Sequence, residues 1–373
     1  MNILINASNL KKGGGLQVAD SVCCLLNKYP EHKFVVVLSH HLQSTFQKIK
    51  NYSNVYALIY DLPKTICQVL FLRNKFLDGL VINNKIDVVL TIFGPALWKP
   101  RCIHVCGFAR PHCVLIDSPY FRNLSYFNRL KEFIKRNIWI WSFNRCSDIY
   151  FTENESISLK LKDLFPKKNI YTVTNYYNQI FDNESKWSRE IDTGSFSGTT
   201  ILTISANYPH KNLGIIKEIV NYLVLKYPNF SFRFLLTISD IDLYPLTDVQ
   251  REHIIFLGKV PIEECPNLYK QSDIVFLPSL LECFSANYPE AMKMKKPIIT
   301  SDLDFAHSLC GDAAIYCSPL SNQSFGDAIF KLSTDNNLYS KMINNGSKQL
   351  LKYDNYEQRI SKLINIATSN FII

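Results

Sequence analysis

Two glutamates carry the chemistry that can be read first from this chain. Glu282 and Glu290 stand eight positions apart within Pro278-Ser-Leu-Leu-Glu-Cys-Phe-Ser-Ala-Asn-Tyr-Pro-Glu-Ala-Met292. A carboxylate oxygen accepts hydrogen bonds from hydroxyls, and two carboxylates suit a polyhydroxyl ligand. The stretch between them, Cys283-Phe-Ser-Ala286, leads into a run of good helix formers, Ala291-Met-Lys-Met-Lys295. The N–H groups around Phe284, Ser285 and Ala286 therefore lie near a helix start, where unpaired donors and the positive dipole end favour a phosphate or a sugar oxygen.

These residues need a scaffold, and the flanking segments describe one. Asp273-Ile-Val-Phe-Leu277 before the loop and Pro297-Ile-Ile-Thr-Ser301 after the helix are apolar runs of strand length. Strand, helix, strand in this order reads as a parallel-sheet unit. Thr200-Ile-Leu-Thr-Ile-Ser205 starts the same sheet, a helix runs to Lys226, and Phe232-Arg-Phe-Leu-Leu-Thr237 is the next strand. Upstream, strands are expected at 2–6, 34–38, 55–59, 86–92, 102–106, 147–152 and 169–175, with a helical stretch from Ile66 to Ile82.

Here the residues reach a family resemblance. Glu282 and Glu290 resemble the E-x7-E motif of retaining glycosyltransferases of the GT-B fold. Their surroundings are similar to family 4: Ile255-Phe-Leu-Gly258, Leu268-Tyr-Lys-Gln-Ser-Asp-Ile274, Pro297-Ile-Ile-Thr-Ser-Asp302 and Gly311-Asp-Ala-Ala314. The likeness is strong from about 199 to 350 and weaker upstream. It implies an α/β architecture of two doubly wound Rossmann-like domains facing across a cleft. These would be residues 1–178 for the acceptor and 199–352 for the nucleotide-sugar, with 353–373 as a helix crossing back to the first. A polar linker is expected near 178–198.

The resemblance also assigns roles. Glu290 would hold ribose hydroxyls, Glu282 sugar hydroxyls, and Lys211 the diphosphate, with help from His210. Ala206 stands where the family has an arginine, which is a departure. Leu10-Lys-Lys-Gly-Gly-Gly15 lies between a strand and a helix. By resemblance Gly14 and Gly15 approach the donor diphosphate, although three glycines alone read equally as a tight turn. The catalytic-loop histidine expected just past the strand 102–106 is absent, because Gly107 and Phe108 occupy that place. Arg110 and His112 are the basic groups in reach, as acceptor-binding residues and, for His112, a catalytic one. The implied activity moves a sugar from a nucleotide diphosphate-sugar to a glycan or lipid-linked acceptor, with anomeric configuration retained, in cell-surface polysaccharide assembly. The alternatives are a catalytically silent binding subunit of this fold or a related nucleotide-sugar epimerase.

Composition bounds the rest. The chain has 373 residues, 47% hydrophobic and 20% charged, which suits two globular domains. No apolar run is long enough for a membrane span, and Met1-Asn-Ile-Leu-Ile-Asn6 lacks the marks of a signal peptide, so a cytosolic protein is expected. The 11 cysteines lack C-x-x-C pairing and read as reduced core residues. Asp240-Ile-Asp242 and Asp302-Leu-Asp304 have a spacing that binds Mg²⁺ elsewhere, but short acidic pairs in loops are common, so no metal and no cofactor are expected.

Charge is uneven. Residues 1–180 carry 23 Lys and Arg against 11 Asp and Glu (+12), and residues 181–373 carry 18 against 21 (−3). A basic half points to a partner bearing phosphate, and in this context to a lipid-linked acceptor or an anionic membrane rather than a nucleic acid. Phe127 to Phe143 combines Phe and Trp with Arg129, Lys131, Lys135 and Arg136, and contains no Gly or Pro. It reads as one helix, either packing its aromatic face on the sheet or lying at a membrane interface.

Overall fold

The computed structural model describes residues 1–11, 13–63, 70–188 and 191–369. The chain folds into two compact units. The first comprises Met1–Ile116, Leu124–Asn175 and the C-terminal stretch from Asp354, and the second comprises Asp117–Asn123 and Tyr176–Tyr353. Each is built on one parallel sheet.

The first sheet has seven strands, β1 (Asn2–Ala7), β2 (Lys33–Leu38), β3 (Val55–Ile59), β4 (Val88–Thr91), β5 (Ile103–Gly107), β6 (Ile149–Thr152) and β7 (Asn169–Thr172), in the order β3-β2-β1-β4-β5-β6-β7. β1 pairs in parallel with β2 on one side and β4 on the other, so the winding reverses there. Ile3, Leu4, Ile5 and Ala7 are all buried, as expected for a strand covered on both faces. The second sheet has six strands, β8 (Thr199–Thr203), β9 (Phe232–Leu236), β10 (Ile254–Phe256), β11 (Ile274–Leu277), β12 (Ile298–Ser301) and β13 (Ala314–Cys317), in the order β10-β9-β8-β11-β12-β13. Its reversal lies between β8 and β11. Two doubly wound Rossmann-like units are the expected fold class.

The boundaries differ from those expected. The described part of the linker expected near 178–198 is held in place, because Arg233 on β9 is buried and takes two carbonyl acceptors from it. Its Nη1 donates to Thr193 O (2.6 Å) and Gly194 O (3.1 Å), while Asn267 Nδ2 donates to Ser188 O (2.6 Å). The segment 117–123, expected in the first domain, also belongs to the second unit, where the buried Ser118 donates its Oγ proton to Leu280 O at 2.6 Å. The helix Tyr356–Ser369 packs Ile360, Leu363 and Ile364 into the core of the first unit. Arg359 pairs there with Glu153 at 2.9 Å and donates to Asn175.

The helix expected over 66–82 is described only in its second part, Lys75–Asn83; Lys64–Val69 lie outside the described residues, and Leu72, with φ 52°, separates residues 70–71 from it. Ten cysteines are described, eight of them buried, and no disulfide is found among the described residues. Burial pushes the Cys23 and Cys106 thiols well up, which leaves them as inert core residues.

Candidate functional site

Lys211 and Glu282 arrive from two different loops of the second unit. One loop follows β8 and the other follows β11, the two strands between which the winding reverses. Loops at such a reversal diverge and leave a crevice at the strand ends, which is where doubly wound sheets bind ligands. Here the loops are stapled together. Leu280 N donates to His210 O (2.7 Å), Asn287 Nδ2 donates to Ile204 O, and the Lys211 ammonium pairs with Glu282 Oε1. Glu282 is buried, so this pair is shielded from water on the carboxylate side. Asn212, in left-handed backbone with φ 56°, turns the chain into the helix Ile215–Lys226, and its Nδ2 donates to Pro319 O (3.1 Å).

Glu290 sits in the first turn of the helix Asn287–Lys293 and is 3% exposed. Tyr269 donates its hydroxyl to Oε2 at 2.9 Å, and burial holds that phenol well above its ordinary range, so it stays a donor. Among the described residues, Oε1 has no hydrogen-bond donor. Burial pushes the Glu290 carboxyl up to about 7, with the Tyr269 hydrogen bond acting the other way. A buried carboxylate with one oxygen unmet is costly unless something else supplies donors. The N–H groups of Phe284, Ser285 and Ala286 likewise meet no acceptor among the described residues, and these three side chains are only half-buried.

His210 is held between Tyr208, stacked at 5.5 Å, and Tyr120, edge-on at 6.5 Å. Burial and the neighbouring Lys211 lower its pKa to about 4. It is therefore neutral at pH 7, so any help it gives Lys211 is as a hydrogen-bonding group and not as a cation.

Ser118, Tyr120, Tyr269 and Asn287 were not singled out from the sequence. Tyr269 lies in the Leu268-to-Ile274 match that carried the resemblance, but its partner is 21 positions away. Ser118 touches Leu280 across 162 positions, and no local pattern announces that.

The other expected residues lie in the first unit. Gly13, at φ 79°, caps the helix Gly14–Cys23, and a Cβ on Gly14 would meet nothing within 4 Å. A Cβ on Gly15 would touch Leu10 at 3.4 Å, so this glycine also serves packing. Gly107 ends β5 for a steric reason: a Cβ there would lie 1.9 Å from Ile92 O. Phe108 is buried against Phe143, so no basic side chain fits directly after the strand. Arg110 lies over the Trp139 ring at 5.1 Å, and His112 is in the short helix Pro111–Val114. The two acidic pairs have local partners. Asp242 accepts from Ser239 N (3.0 Å) in a capping box, and Asp302 meets His307 Nε2 at 2.6 Å.

Residues 249–349 match the family described as glycosyl transferases group 1, which covers β10 to the helix Asn336–Leu350 and includes both glutamates. An O-antigen chain mannosyltransferase of Salmonella typhimurium is 24% identical over 199 residues, and the chain spans about half of that relative's length (51%, from 50% of its own). Solved structures resemble the whole chain. A glycosyltransferase from Rickettsia africae has a TM-score of 0.71 at 15% identity, covering 100% of this chain and 98% of that one. A sucrose-phosphate synthase from Thermosynechococcus elongatus has 0.69 at 11% identity, with 99% and 98% covered. An Anabaena protein solved with UDP and glucose has 0.66 at 13% identity, with 99% of each chain covered. The fold is GT-B.

Proposed function

We propose that this chain is a retaining glycosyltransferase of the family 4 type, which moves a sugar from a nucleotide diphosphate-sugar to a glycan or lipid-linked acceptor in cell-surface polysaccharide biosynthesis. The observation that carries the reading is Glu290: a buried carboxylate with no donor on one oxygen among the described residues, on the helix that follows the loop of Glu282 at a reversal of the winding. In this reading the ribose hydroxyls donate to Glu290 and the sugar hydroxyls donate to Glu282. The free N–H groups of Phe284 to Ala286 take phosphate or sugar oxygens, and Gly14 and Gly15 approach the diphosphate. Lys211 then turns from Glu282 to the diphosphate and offsets the charge that grows as it leaves. The bond from the anomeric carbon to the phosphate oxygen breaks, and the acceptor oxygen bonds to the same face. The acceptor proton passes to the departing phosphate oxygen, so no protein nucleophile is needed. Arg110 and His112 are assigned to the acceptor, and no metal is assigned a role.

The group 1 domain supports the transferase reading, and the similarity to an O-antigen mannosyltransferase supports the polysaccharide setting. The test is nucleoside diphosphate release from a panel of UDP-, GDP-, ADP- and dTDP-sugars with lipid-linked and free glycan acceptors. One donor turned over by the wild type, and by Glu290→Gln only at about ten- to hundredfold higher donor concentration, supports the reading. A chain that binds nucleotide but releases none with any acceptor would be a silent binding subunit.

A further inference from the structure

The helix Tyr126–Cys146 wears its apolar side outward. Its inward anchors are few: Ser142, Phe143 and Cys146 are buried, and Trp139 lies under Arg110. Phe127 is 81% exposed, Phe133 60%, Ile134 52%, Leu130 46%, Ile138 44% and Trp141 41%. At 3.6 residues per turn these six fall within an arc of about 140°, roughly opposite the buried positions. An ordinary surface helix has the reverse polarity. Lys131 and Lys135 border one edge of the arc, and Arg129 and Arg136 the other. The helix carries five basic residues and one acidic residue, Glu132, which is paired with Lys135 at 3.1 Å. The first unit as a whole has 24 Lys and Arg against 12 Asp and Glu, a net +12. No helix among the described residues is long and apolar enough to cross a membrane.

We propose that this face lies on an anionic lipid bilayer, with the aromatic and aliphatic side chains at the acyl boundary and the flanking cations among the headgroups. An apolar stripe edged by Lys and Arg is the arrangement that binds such an interface by apolar burial and charge together. The charge selects the bilayer over a second copy of the chain. Pairing two such helices would bring together two sets of five basic residues, a juxtaposition that disfavours association. Arg129 and Arg136 also hold structure, donating from Nε to Leu124 O and Cys113 O, both at 3.0 Å. The exposed Lys131 and Lys135 are therefore the cleaner charges to remove. The proposal does not depend on the chain's catalytic activity.

The experiment is co-sedimentation of the full chain with vesicles of phosphatidylglycerol and phosphatidylcholine in equal parts, and with phosphatidylcholine alone. Wild type should sediment with the anionic vesicles and be released as salt rises from about 0.1 M to about 1 M. Lys131→Gln with Lys135→Gln should weaken binding about fivefold per lysine. Phe127→Ser with Phe133→Ser should weaken it about tenfold or more. Both pairs of changes are at exposed positions, so thermal melting should stay within a few degrees of wild type. Equal sedimentation of wild type and both variants overturns the proposal, as does binding indifferent to lipid charge. Concentration-dependent dimerisation without lipid, abolished by the two Phe changes, overturns it in favour of an interface between copies.

Discussion

Each unit buries a glutamate almost completely, and the two are treated differently. Glu153, in the first unit, is met by the Arg359 guanidinium at 2.9 Å, from a helix more than 200 positions away in sequence. Glu290, in the second, has only a neutral phenol; in both glutamates the other oxygen has no donor among the described residues. A buried carboxylate that faces a cation fastens an element: it ties the C-terminal helix to the first unit. A buried carboxylate met only by a neutral phenol raises the free energy of the unliganded fold, and on the proposed reading that cost is returned when a ligand brings hydroxyls. The same residue type at the same burial thus fastens structure in one unit and, on the proposed reading, serves a ligand in the other.

The comparison can be broken from either side. The largest effect is expected from Arg359→Met. Removing one partner of a buried ion pair leaves an uncompensated charge and costs about 3–5 kcal/mol. A melt shifted by less than a degree would show that Glu153 has no structural role. Glu290→Gln should act in the opposite sense on stability. Its pKa in the fold is raised, so the unfolded state releases its proton first as pH rises, and the carboxyl loses stability between about pH 4.5 and about 7. Glutamine carries no such loss, so the variant should match or exceed wild type above pH 7, by at most on the order of 3 kcal/mol. Donor affinity should fall ten- to hundredfold, from losing charge-assisted bonds of about 1.5–3 kcal/mol. A variant both less stable and equally tight would reverse the assignment.

Smaller effects sharpen it. Ser118→Ala leaves Leu280 O without its donor, and an unmet buried carbonyl costs about 1–3 kcal/mol. Since Leu280 holds the loop of Glu282, turnover should drop about tenfold while the first unit melts unchanged, a split that differential scanning calorimetry beside kinetics can read. The smallest effect is expected from chelation, with rates unchanged in EDTA. Activity lost to EDTA and restored by Mg²⁺ or Mn²⁺ would bring Asp240 and Asp242, or Asp302 and Asp304, into the site.

The strand–loop–helix that carries Glu282 and Glu290 was legible because its signals are local: an apolar run, a loop, helix formers and a second apolar run within about 30 residues. The alternation that builds both sheets was legible for the same reason. What escaped depends on contacts between distant residues. Ser118 joins the second unit through a single carbonyl, and residues 176–198 look polar and free until Arg233 claims their carbonyls. The helix Tyr126–Cys146 was legible as a helix, but its outward face was not. Aromatic and basic residues at that spacing fit a core face as well as an interfacial one, and only the neighbours decide.

The central claim is that ionised Glu290 receives the ribose hydroxyls of the donor. It is tested most directly by calorimetric titration of wild type and Glu290→Gln with the nucleoside diphosphate of the active donor, from pH 5.5 to 8. Taking the ratio of the two affinities removes titration of the phosphates and of His210, which both proteins share. The ratio should climb as pH rises towards about 7, where the carboxyl ionises, and then level off at ten or more. A ratio near one at every pH would contradict the account.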